Sequence, residues 1–124
     1  MLSDGAVKQI FGVFDGGQLI GATAVRVEND DPAAVRFWGS WLEKSWRGHG
    51  LTEKMYQARF EWVRQRPHIR RIVVAVRESN LPSKRAIERN GFTFVKATPH
   101  TWSDGVTEND CFYEMLLGTI CPRG

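Results

Sequence analysis

The stretch Trp46-Arg47-Gly48-His49-Gly50-Leu51-Thr52 decides the fold. An aromatic-rich apolar segment, Phe37-Trp38-Gly39-Ser40-Trp41-Leu42, runs into it, and a long amphipathic segment, Leu51 to Arg66, runs out of it. Two glycines separated by a single residue free the backbone to bend with its N–H groups facing outward. The first turn of the following helix adds unpaired N–H donors and the positive end of a macrodipole. Arg47 places a full charge beside them. A strand, a glycine turn and a helix in that order make a seat for a phosphate. The turn is not a P-loop, because no Lys-Ser/Thr pair follows Gly50. It is not the dinucleotide fingerprint either, because Glu53 stands where a third glycine belongs.

Working outward toward the N-terminus, Gln9 to Phe14 and Leu19 to Val27 are β-rich segments joined by Asp15-Gly16-Gly17, a strong hairpin signal. The polar cluster Glu28-Asn29-Asp30-Asp31-Pro32 reads as a loop. Ala33 to Leu42 then reads as a third strand, in which Gly39 marks a bulge or a close approach. Trp38 and Trp41 are three residues apart, so strict alternation sends them to opposite faces, one of them into the core.

Toward the C-terminus, Leu51, Met55, Ala58 and Trp62 recur at helical spacing, with Tyr56, Phe60 and Val63 widening the apolar face. Glu53, Lys54, Arg59 and Arg64 fall elsewhere, and Pro67 ends the helix. The β-branched run Ile72 to Val76 reads as a central strand covered on both faces. Asn80 caps a second helix, Pro82 suits its first turn, and Asn90-Gly91 supplies its left-handed end. Phe92 to Ala97 and Cys111 to Leu117 are the last strands, separated by a long polar loop, Pro99 to Asp110, that holds His100 and Trp102.

The order β-β-β-α-β-α-β-β, with a second motif from Val76 to Phe92, completes the picture. Together the two motifs resemble the GNAT superfamily of acyl-CoA N-acetyltransferases. Arg47-Gly48-His49-Gly50-Leu51-Thr52 matches that family's Arg/Gln-x-x-Gly-x-Gly/Ala turn, with Thr52 where a small residue is usual. Asn80, Ser83, Gly91 and Phe92 fall in order on its Asn-x-x-Ala/Ser and closing Gly-Phe pattern. The resemblance spans roughly residues 8 to 117. It implies an α/β (α+β) fold: one acetyltransferase-like domain over residues 1–124, with a mixed, mostly antiparallel sheet. Its central parallel pair would splay to admit the acyl arm, and helices would lie on both faces. The family's usual N-terminal strand and helices have no counterpart here. The resemblance therefore also implies a truncated chain or a groove wall supplied by a second subunit, and a homodimer is the favoured expectation.

Composition agrees with one globular domain. Hydrophobic residues make up 42% and charged residues 25% of the 124-residue chain. No apolar run is long enough to cross a membrane. Met1 to Gln9 shows no secretory signal, and Cys111 and Cys121 lack metal-ligand spacing, so two free thiols in a cytoplasmic protein are expected. His49, His68 and His100 show no metal spacing either, and no metal is expected. Charge is asymmetric. Residues 44–89 hold 12 basic and 4 acidic side chains, whereas the rest of the chain carries a net −5. A polyphosphate nucleotide is drawn to the first part and a cationic amine to the second.

The resemblance also assigns roles. Acetyl-CoA would be the co-substrate and a primary amine the acceptor, either a small molecule or a peptide or protein N-terminus. The backbone N–H of Leu42 would polarise the thioester carbonyl. The N–H groups of Arg47, Gly48, His49, Gly50, Leu51 and Thr52 would hold the diphosphate, and Asn80 the pantetheine arm. The tyrosine that many relatives carry seven residues after the Asn is Ile87 here, leaving Ser83 as the nearest proton donor. Its competing role is to cap the helix. Glu43, directly after Leu42, is the general-base candidate, with Glu78 a second. Two rivals stand beside this reading. One is an acyl-CoA-binding module without catalysis. The other is nucleic-acid binding through Arg59, Arg64, Arg66, Arg70 and Arg71, a cluster that lacks interleaved exposed aromatics.

Overall fold

A computed structural model of the chain describes residues 8–117. Six strands form one sheet, interrupted by two helices: β1 (Lys8–Asp15), β2 (Gln18–Glu28), β3 (Asp31–Leu42), α1 (Leu51–Arg64), β4 (Arg71–Arg77), α2 (Leu81–Arg89), β5 (Thr93–Thr101) and β6 (Thr107–Leu116). The spatial order is β1-β2-β3-β4-β6-β5, and only β3 and β4 run parallel. Cys121 lies outside the described residues. Among the described residues, no helix is long and apolar enough to cross a membrane.

The two hairpin turns at the N-terminal edge are tight. Gly16 and Gly17 take φ values of 57° and 94°, the left-handed conformation that a two-residue hairpin matching strand twist requires. At the next turn, the expected loop over Glu28 to Pro32 shrinks to Asn29 and Asp30. Asp31 already belongs to β3, where its carboxylate accepts from the N–H of Ala33 at 2.9 Å.

Gly39 is a bulge. Ala24 pairs with Trp38 but Ala22 pairs with Trp41, so three steps on β3 oppose two on β2. The extra residue is absorbed at Gly39, whose φ of 68° is open to glycine. This overturns the expectation that Trp38 and Trp41 face opposite ways. Their partners Ala24 and Ala22 lie on one face, so the two indoles do too. Neither is core: Trp38 is 40% and Trp41 44% exposed.

Both helices cover the same face of the sheet, which corrects the expected helix on each face. The reason is handedness. The β3-α1-β4 crossover steps along the sheet in one direction and β4-α2-β5 steps further the same way. Right-handed crossovers that advance in one direction place their helices on one side. The core follows: Val25, Phe37, Ile72, Val74, Val76, Cys111 and Tyr113 from the strands meet Tyr56, Trp62 and Val63 of α1 and Ala86, Ile87 and Phe92 at α2. Phe37 sits at the centre, 1% exposed, with the rings of Tyr56, Phe60 and Phe92 at 6.2, 5.5 and 6.1 Å. The other face carries ion pairs beside the exposed Trp38. Arg36 makes a bidentate pair with Glu28 at 2.9 and 3.0 Å, which holds that carboxyl below its ordinary pKa, and Arg71 reaches Asp31 and Glu114.

The long loop expected over Pro99 to Asp110 is largely strand. Pro99 lies within β5 opposite Asn109, and the connection narrows to Trp102–Val106. Proline lacks a ladder donor, but β5 is the outermost strand, where an outward-facing position needs none. His100 is therefore a strand residue packed edge-on against Trp102, with ring centroids 4.6 Å apart.

Candidate active site

The parallel pair β3–β4 holds register only from Ala34↔Arg71 to Phe37↔Val74. Beyond Phe37, β3 stays with β2 while β4 stays with β6, and the two diverge. On the helix-covered side of this gap lies a cleft of about 460 Å³. Its walls are Ser40, Trp41 and Leu42 of β3, Arg47 and Gly48 of the turn, Thr52, Met55, Tyr56 and Arg59 of α1, and Asn80, Pro82, Ser83 and Ala86 of α2. The charged side chains among them are Arg47 and Arg59, and no carboxylate lines the walls.

At the mouth, Gly48 and Gly50 both hold positive φ, 81° and 80°. A Cβ built on either would meet nothing within 4 Å, so the backbone is open on that side. Gly50 caps α1 without a side-chain bond, which leaves the N–H groups of the first turn for an outside partner. Arg47 is exposed, and its Nε donates to the Leu42 carbonyl at 3.0 Å, tying the guanidinium to the end of β3. These features fit a diphosphate: backbone donors, a helix N-terminus and a positioned cation.

Leu42 itself is oriented by its neighbour. The N–H of Glu43 donates to the Ile20 carbonyl at 2.7 Å, and backbone groups alternate sides along a strand, so those of Leu42 point away from β2 into the gap. Gly21 opposite Leu42 makes the close strand approach possible. A Cβ there would fall 2.8 Å from the Trp41 carbonyl oxygen.

Asn80 opens α2. Its Oδ1 accepts from the Ser83 N–H at 3.3 Å, and its amide nitrogen donates to no described residue. The preceding Ser79 is pinned by Glu108, which accepts from its N–H at 2.9 Å and its hydroxyl at 3.0 Å while pairing with Arg77. That cross-link fixes the β4–α2 turn from β6. The two proposed roles of Ser83 separate here: the Asn80 side chain does the capping, and the Ser83 hydroxyl makes no hydrogen bond among the described residues.

Of the residues singled out in the sequence, the cleft gathers Leu42, Arg47, Gly48, Thr52, Asn80 and Ser83. Gly50 and Leu51, between Gly48 and Thr52 in the turn, are not part of the lining. His49 is exposed, its ring 6.1 Å from that of Trp46, and Glu43 and Glu78 are exposed outside the lining. Ile87 is 2% exposed in the core, which accounts for its aliphatic side chain. Among the described residues, no group of three His, Cys, Asp or Glu side chains stands close enough to hold a metal.

Arg59 is the residue the sequence reading misplaced. It is 3% exposed, not on the solvent face of α1. Its position on the stripe Thr52, Met55, Tyr56, Arg59, Val63 was readable from helical spacing, but its charge argued the other way. Its guanidinium lies 4.5 Å from the Phe37 ring and 4.4 Å from that of Tyr56. Burial lowers its pKa to about 10, and burial also raises that of the Tyr56 hydroxyl. The basic cluster imagined for nucleic acid disperses as well. Arg64 pairs with Glu61, Arg66 lies 3.7 Å over Trp62, and Arg71 bridges two acids.

No curated protein matches the sequence. Among solved structures, the ribosomal L7/L12 alpha-N-protein acetyltransferase RimL in complex with coenzyme A superposes with a TM-score of 0.77 at 23% identity. That match covers 90% of this chain, which spans 63% of the length of that one. A GNAT-family acetyltransferase from Streptococcus pneumoniae superposes with a TM-score of 0.81 at 14% identity, covering 90% and 68% of the two chains. The ribosomal-protein-S18-alanine N-acetyltransferase from Escherichia coli gives 0.78 at 14%, covering 92% and 72%. At these identities the superpositions establish the fold. The family model described as Acetyltransferase (GNAT) family matches residues 2–92, from the N-terminal hairpin through the phosphate-type turn to Phe92, and so the chain belongs to the GNAT acetyltransferase family.

Proposed function

We propose that the protein transfers an acyl group, acetyl in the first instance, from coenzyme A to a primary amine. The observation that carries this is the mouth of the cleft, where two left-handed glycines open the backbone at the start of α1 beside a tethered arginine. When bound, the thioester supplies an activated acyl carbon; the chain supplies everything else. The N–H groups from Arg47 to Thr52 hold the diphosphate, and the Asn80 amide donates to the pantetheine arm. The Leu42 N–H, turned into the gap, stabilises negative charge on the carbonyl oxygen. The free Ser83 hydroxyl gives a proton to the departing sulfur, and Glu43, exposed beside Leu42, takes the ammonium proton through water.

The acceptor we favour is a cationic amine. The net −5 outside residues 44–89 supports it. The names of similar folds add protein N-termini to the amines worth trying, since two of them act on ribosomal proteins. We also place the protein in the cytoplasm as a homodimer, with the whole chain forming one domain. Cys111 is a buried free thiol, and Ile10 and Trp38 stand exposed on the face without helices. Sedimentation equilibrium at micromolar concentration is expected to give twice the 14.1 kDa chain mass; a monomer would withdraw that part.

Calorimetry with coenzyme A, followed by thiol release over a panel of amines and peptides, tests the main reading. Arg47→Glu is expected to weaken coenzyme A binding by about 2–4 kcal/mol, or roughly 30- to 1,000-fold, through lost charge-assisted bonds and new repulsion. Unchanged affinity would remove the assignment. Binding without turnover on any amine would instead favour a non-catalytic acyl-CoA module.

A further inference from the structure

Arg59 is a buried charge with no counter-charge in sight. Its Nε donates to the Met55 carbonyl at 3.3 Å, one turn back on its own helix. The Tyr56 hydroxyl lies beside its guanidinium and supports the charge, but no described carboxylate pairs with it. The side chain is nonetheless part of the cleft wall. Its lowered pKa of about 10 still leaves it protonated at neutral pH. Enclosing a guanidinium without an anion is costly, and the rings of Phe37 and Tyr56 return only part of that cost.

Its place in the cleft says which anion. Phe37 is the last β3 residue paired to β4, so Arg59, packed on that ring, sits beneath the point where the strands part. Arg47, Gly48 and Thr52 mark the opposite, outer end. Thr52 and Arg59 are two helical turns apart, about 10 Å along the axis. A diphosphate seated on the glycine turn ends well short of Arg59. What reaches the inner end is the part of the donor beyond its diphosphate, and a planar fork that lacks an anionic partner matches a carboxylate there.

We propose that the cleft accepts acyl donors whose chain ends in a carboxylate, a dicarboxylic acyl thioester such as succinyl-coenzyme A, with Arg59 binding that terminal carboxylate. The inference rests on the acyl-transfer reading above and extends its range of donors. The transfer itself is unchanged. The ammonium loses one proton to solvent, the amine nitrogen bonds to the thioester carbon and sheds a second proton, the C–S bond breaks, and the thiolate takes up a proton. The product amide carries a new carboxylate, so the acceptor's charge falls by two rather than one.

The test is calorimetry without any amine, so that only the donor is read, using coenzyme A, acetyl-coenzyme A and succinyl-coenzyme A. The wild-type protein is expected to bind the succinyl thioester about tenfold or more tightly than the acetyl one. Arg59→Met should erase that ratio and leave coenzyme A affinity within about twofold, while Arg59→Lys keeps part of the ratio. A wild-type ratio near one overturns the proposal and leaves the acyl-transfer reading standing. So does a ratio that survives Arg59→Met, or an equal loss for all three ligands, which would put Arg59 on the nucleotide instead. The wild-type ratio and Arg59→Lys keep the test decisive if Arg59→Met does not fold. Failure of the wild-type protein to bind coenzyme A at all would bring down both readings.

Discussion

Gly50→Val is expected to lower coenzyme A affinity by about 100-fold or more while leaving the sheet intact. The argument has two parts. At φ 80°, an L-residue is strained by roughly 1–2 kcal/mol, and a β-branched one by more. The turn can relieve that strain only by rotating its N–H groups out of the positions that receive an anion. The space above Gly50 is also empty to 4 Å, so the valine methyls would occupy the seat itself. Gly105→Val is the control. Gly105 has φ 85° with equally open surroundings, but it lies in the β5–β6 connection, far from the glycine turn in sequence and outside the cleft. Its strain should cost stability without touching affinity. Calorimetry and thermal unfolding on both variants read the two effects apart, and matched affinities in Gly50→Val and wild type would end the phosphate assignment.

Phe37→Ala is expected to destabilise the fold by about 3–5 kcal/mol in urea unfolding, a large share of the roughly 5–15 kcal/mol available to such a domain. The ring is 1% exposed and touches three aromatic neighbours. It is also one of the two rings against which Arg59 packs. The truncation therefore opens a void beside an unpaired cation. A loss under about 1 kcal/mol would show that the aromatic cluster repacks around the missing ring.

The glycine turn, the Gly16-Gly17 hairpin, the β-branched central strand and the Asn80 cap were all legible, because each is dictated by local chemistry: backbone freedom, β-branching, a side-chain acceptor. Features set by the phase or hand of the chain were harder. Periodicity gave α1 its apolar stripe but could not say which side of the sheet α2 would choose; the handedness of crossovers decides that. Trp38 and Trp41 were assigned by counting in twos, and a single inserted residue changed the count. Pro99 was taken to end a strand because a proline inside one is usually excluded, yet an edge position tolerates it. Arg59 was passed over because charge was weighed above spacing. The cleft-lining residues that stayed hidden, Tyr56 and Arg59 above all, lie inside α1, where nothing in the local composition distinguishes a cleft wall from a core.

The bulge at Gly39 reaches further than the two tryptophans. Were β3 to keep strict alternation past Phe37, Ser40 would turn outward, Leu42 would present its side chain to solvent, and the indole of Trp41 would swing under the sheet between α1 and α2. The hollow there would be filled by the protein's own aromatic. One supernumerary residue thus works as a half-step offset that keeps the chamber vacant.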